Sequence, residues 1–109
     1  MTEAESLASL RAAYDAANSA LERAQDLSAS TAVIARLDDA ADLALRSLAQ
    51  AMKETLTIEN QHMEEIKQEL DQITTQLKND LKQNKSIVAM VETVDKVVKL
   101  AAALASAFA

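Results

Sequence analysis

Glycine, proline and cysteine are all absent from this chain of 109 residues. Gly and Pro are the ordinary punctuation of tight turns, bulges and hairpins. A β-protein of this length needs several such turns, so their absence points to helices joined by few, short connections. Without Gly there is no glycine-rich loop to cradle a phosphate. Without Cys there is no disulfide and no thiolate metal site, and the redox compartment is unreadable. Aromatics are nearly missing too: Tyr14 and Phe108 are the two present. Two scattered rings make no base-stacking platform. The core must be built from Leu, Ile, Val, Met and Ala.

Histidine is scarce as well, with His62 the single imidazole. No Ser sits in a nucleophile motif beside it, so the machinery of nucleophilic catalysis is not visible. The expectation is a protein with no enzymatic activity and no cofactor. Positive charge is the minority, and the net charge is −6. That disfavours nucleic acid and anionic membrane surfaces as default partners. Lys78, Lys82 and Lys85 form one small basic stripe, read here as a solvated helix end. The acidic opening, Met1 to Glu5, is followed by no long apolar run and reads as neither a signal nor a transit peptide. A cytoplasmic protein is expected, with secretion by a signal-less route as the alternative.

What is present is a helical seam. Met63, Ile66, Leu70, Ile73 and Leu77 recur at spacings of three and four, which sets five large apolar side chains on one face. The count passes through Asp80 and Asn84 and returns to apolar residues at Ile87, Val91, Val94 and Val98. The polar interruption reads as a turn, because Asn84 tolerates the left-handed conformation that ends helices and Ser86 suits the N-cap that follows. Leu70 and Ile73 are expected in the core.

A first helix is expected over about 3–27. Thr2 caps it, with Glu5 three residues on in capping-box spacing. Its stripe is largely alanine, which favours close approach to a neighbour. Ser28 or Ser30 then caps a second helix, whose apolar positions read Val33, Ile34, Leu37, Ala41, Leu45, Leu48, Met52 and Leu56. The later spacings sum like an eleven-residue repeat. Asp42 and Arg46 stand as an i,i+4 pair on its outer side.

Residues 55–60 admit two readings. Thr57 and Asn60 could cap a new helix, and Glu59 sits where the seam wants an apolar residue. Yet no Gly or Pro enforces a stop, so the favoured reading is one unbroken helix over about 31–83. At about 1.5 Å per residue it would be about 80 Å long. The fold expected is all-α: an antiparallel bundle with coiled-coil-like packing and three long helices, spanning about 3–27, 31–83 and 86–107 as one domain. The alternative is a four-helix bundle broken near 57–60.

The final helix is the most apolar. Its charges, Glu92, Asp95, Lys96 and Lys99, form one narrow stripe with two i,i+4 pairs. An apolar face this wide exceeds what one neighbour covers. Ile87, Val91, Val94, Val98 and Leu104 are therefore the candidate interaction residues, and a two-fold homodimer with antiparallel central helices is expected. The function expected is that of an oligomeric subunit, adaptor or chaperone-like partner working through helix–helix contacts. The alternative is a membrane-associated or membrane-active protein that inserts this helix at an interface.

One metal motif is present. Glu59 and His62 have the Glu-x-x-His spacing used by di-iron carboxylate bundles. The chemistry needs a second such motif and two further Glu, so the bland reading, a solvated His beside an ill-placed Glu, is preferred.

Overall fold

The computed structural model describes residues 1–109 as four helices: α1 (Glu3–Asp26), α2 (Thr31–Lys53), α3 (Gln61–Lys82) and α4 (Ile87–Ala105). Each begins at a side chain that can bond the exposed amide three residues on. Thr2 Oγ1 accepts from Glu5 N at 3.1 Å while Glu5 Oε1 accepts from Thr2 N, completing the capping box. Ser30, Asn60 and Ser86 accept from Val33, Met63 and Ala89 in the same way.

The turns after α1 and α3 share one geometry. Ser28 and Asn84 both adopt the left-handed conformation, at φ 54° and 55°. Ala29 N donates to Ala24 O and Lys85 N to Asp80 O, the six-to-one bond of a Schellman ending. Two residues past each left-handed position stands the serine that caps the next helix. The chain is thus two helical hairpins, α1–α2 and α3–α4, closed by equivalent turns that use no glycine.

The hairpins pack into a bundle 42 × 23 × 17 Å. α1 and α4 each touch all three other helices, whereas α2 and α3 do not touch one another. The section is therefore a rhombus, with α1 and α4 across its short diagonal and α2 and α3 at the far corners. Burial follows this placement. α1 and α4 bury nine residues each, α2 six and α3 three. Leu10, Leu37, Leu70, Leu77, Met90, Val94, Val97 and Leu104 are the large side chains sealed at the centre. Each fully buried residue of this kind contributes about 1.5–3 kcal/mol. Ala13, Ala16, Ala17, Ala20 and Ala24 line the buried side of α1.

The long helix over 31–83 is not formed, and the chain has four helices instead of three. The helical run stops at Lys53 because residues 54–60 find better partners far away in the chain. Thr55 and Ala109 exchange backbone hydrogen bonds, at 3.4 and 3.0 Å. Thr57 N and Ile58 N both donate to Ala107 O, and Thr57 Oγ1 donates to the same carbonyl. Leu56 N donates to the Glu3 carboxylate at 2.8 Å. Extended backbone needs neither Gly nor Pro, so the missing breakers were no evidence for continuity. This connector carries the chain diagonally from α2 to α3, over the end of the bundle where α1 begins and α4 finishes.

α2 also departs from the expected register. Its core line is Leu37, Ala41, Ala44, Leu48 and Ala51, a regular alternation of four and three. Leu45 and Met52, expected inside, are exposed, and the eleven-residue spacing they suggested is not the one packed. The small Ala44 and Ala51 hold the buried line, about 100° round the helix from Leu45 and Met52, and permit close approach of the neighbouring helices; Leu or Met there would hold them apart. Along α3, Leu70 and Leu77 are fully buried, while Met63, Ile66 and Ile73 are half-buried, as befits a corner helix.

Candidate interaction surface

α2 carries three of the six large apolar residues left exposed, Leu43, Leu45 and Met52; the other three, Leu27, Ile58 and Val88, lie singly on other segments. Leu45 and Met52 are seven residues apart and so share one flank of the helix. They are 43% and 59% exposed. Arg11 of α1 points Nη2 at Met52 Sδ, 4.0 Å away, which places this flank along the α1 side of α2. Ala49, half-buried, falls between them on the same flank. Asp42 stands at the N-terminal end of this flank and Arg46 behind it; both are exposed, yet they form no ion pair with each other.

On its other flank α2 meets α4. Arg36 pairs with Asp95 there, so Asp95 reaches across to α2 instead of along its own helix to Lys99. Beside this pair lies an open groove of about 260 Å³, floored by Ala40, Leu43 and Val98 and edged by Asp39 and Lys99. Val33, Val88 and Val91 line a neighbouring hollow on the far side of Arg36.

The residues expected to form an interface on α4 lie inside the chain. Val91, Val94, Val98 and Leu104 are buried and Ile87 is half-buried. The face is as wide as its sequence suggested, but three neighbours cover it. Its width therefore gives no reason of its own for a second copy. Val88 is the large residue of α4 that stays outside, 70% exposed. No helix is long and apolar enough to cross a membrane.

Glu59 and His62 are not brought onto one helical face. Glu59 lies in the connector, ahead of the N-cap Asn60, and His62 is in the first turn of α3. The i,i+3 relationship that a metal pair needs exists only within a helix, and the helix starts after Glu59. Both side chains are exposed, and no three His, Asp or Glu side chains converge anywhere in the fold.

The polar ties between the two hairpins were not anticipated. The Met1 ammonium sits 2.7 Å from Glu64 Oε2. Its hydrogen bond to that carboxylate raises its pKa above the ordinary value near 8.0, against an opposing desolvation and with help from the charges of Glu64, Glu5 and Glu59. Arg23 Nη1 donates to Leu81 O at 2.8 Å. With Arg36–Asp95, these are three ties, each running from a cation of the first hairpin to an acceptor of the second. Every Arg of the chain lies in α1 or α2, and every Lys but Lys53 lies in the second hairpin.

Comparison with protein-family models, with curated proteins and with solved structures finds no match.

Proposed function

We propose that this protein is a non-enzymatic interaction module, an adaptor or assembly subunit, that offers the outer flank of α2 to a helix of a partner protein. The observation that supports this is the placement of Leu45 and Met52. Both are large and apolar, both sit one heptad apart on the same flank, and neither serves the core, because Ala44 and Ala51 do. Ala49 between them keeps the middle of the strip low. A partner helix reading i and i+7 anchors fits such a strip. Arg11 at one end and Asp42 at the other supply a polar edge that orients the partner.

The test is a comparison of the native chain with a Leu45→Lys, Met52→Lys double variant. Both side chains are exposed, so the variant should unfold within about 0.5 kcal/mol of the native protein. A protein from the native host's extract that is retained by the native chain and lost by the variant is the expected result. Identical retained sets, with equal stability, would remove α2 from the reading.

A further inference from the structure

We infer that the chain exchanges its α3–α4 hairpin with a second copy of itself, forming a dimer in which the 54–60 connector opens and each α1–α2 hairpin is completed by the α3–α4 hairpin of the other chain. This goes beyond the α2 flank and does not depend on it.

Four observations carry the inference. First, the chain is two hairpins with equivalent turns, joined covalently by the 54–60 connector alone and packed together through α1–α3, α1–α4 and α2–α4. Second, the three polar ties, Met1–Glu64, Arg23–Leu81 and Arg36–Asp95, all run between the hairpins. Such ties, and the buried apolar faces with them, can be remade between chains without a new contact being invented. Third, the connector is short. In a rhombic bundle with neighbours 8–10 Å apart the far corners are about 16 Å apart. The eight steps from Lys53 to Gln61 span about 26 Å fully extended, and they must also climb over the ends of α1 and α4. Fourth, the connector is held closed by a short set of contacts: Thr55, Thr57 and Ile58 hydrogen-bond the 107–109 tail, Leu56 N donates to Glu3, and the half-buried Leu56 side chain packs on the core. Exchange gives up this small set and keeps the helix–helix contacts. Exchange of identical elements is a low-cost route to a dimer, and short hinge loops favour it.

Distance measurement by electron spin resonance on the full chain tests this. Asp38 and Lys78 are exposed and stand at matching heights on α2 and α3. In the closed chain both lie within a section of 23 × 17 Å. With the connector opened as helix, the forty residues between them span about 60 Å. Chain labelled at both positions is mixed with excess unlabelled chain, unfolded in urea and refolded at millimolar concentration. A dimer fraction whose intrachain distance has lengthened far beyond the closed section is the result expected. Absence of dimer at every concentration, or a dimer with the short distance retained, overturns the inference. A variant lacking Leu56 to Glu59 adds a second arm. Its four remaining steps reach about 13 Å, less than the diagonal, so it should be dimeric at all concentrations. A folded monomer would overturn the proposal, and if this variant does not fold the native-chain measurement decides.

Discussion

Arg23 of α1 donates through Nη1 to the carbonyl of Leu81, 2.8 Å away, and so closes the last turn of α3 from the side. The final carbonyls of a helix have no partner within it and carry the negative end of its dipole. A guanidinium supplied by another helix answers both. The geometry is incomplete, because Arg23 Nε is buried with no partner. Arg23→Ala should cost about 1.5–3 kcal/mol in urea unfolding, the range for a hydrogen bond made by a charged group. Arg23→Met also removes the orphaned Nε but keeps the apolar stem, and should cost less than Arg23→Ala for that packing. A loss below a few tenths for Arg23→Ala would mean that water caps α3 equally well.

Leu70 and Leu45 make a matched pair for testing the register. Leu70 is fully buried and Leu45 is 43% exposed. Leu70→Ala should destabilise the fold by about 2–5 kcal/mol. Leu45→Ala should fall within about 0.5 kcal/mol of the native protein, as surface changes usually do. Equal losses at the two sites would show that α2 is rotated about its axis relative to the packing described.

Ser28 takes the left-handed conformation without glycine. For a residue with a Cβ that conformation costs roughly 1–2 kcal/mol, less for Asn. Ser28→Gly should therefore stabilise the protein, and Asn84→Gly should do so by less or not at all. The gain at Ser28 should be about 1 kcal/mol at most, because Gly also enlarges the entropy of the unfolded chain. For a domain of this size that is about 4–8 °C in Tm by calorimetry. A fall in Tm for Ser28→Gly would place a compensating contact on its side chain.

The Met1 ammonium has a folded pKa above its unfolded value near 8.0. The folded state therefore holds this proton more tightly. The resulting stability is fully present below pH 8 and is lost as pH rises through the raised value. Tm recorded from pH 7 to pH 10 should decline more steeply for the native chain than for Glu64→Gln, whose amide cannot hold the charge. Parallel declines would assign the slope to other groups.

Much of the fold is legible where the signal is local. The Thr2–Glu5 capping box, the left-handed Asn84 and the N-caps Ser30 and Ser86 follow from residue type and spacing within a few positions. The core line of Leu70 and Leu77 follows from their heptad. The break between α2 and α3 is not local. It depends on Glu3, 53 positions before Leu56, and on Ala107 and Ala109, about 50 positions after. The choice between Ala44 and Leu45 for the core is not local either. It turns on how closely α1 and α4 approach α2, since a close approach admits Ala and excludes a large side chain. A seam read by side-chain size alone picks Leu45 and Met52, and those become the exposed flank. The same heptad carried through Leu37, Ala41, Ala44, Leu48 and Ala51 was there to be read. The proposed interaction surface was hidden for this reason: it consists of residues that resemble core.

The centrality of α4 bears on how the protein is made. α1, α2 and α3 leave the ribosome before it, yet α4 is one of the two helices that touch all the others. Chains emerge at about 5–20 residues per second. For seconds the first three helices have no Met90, Val94, Val97 or Leu104 against which to close. α2 and α3, which make no contact with one another, cannot seal the gap between them. Folding of this bundle should therefore wait for its fourth helix, and limited proteolysis should cut nascent chains stalled before Ile87 far more readily than the released chain.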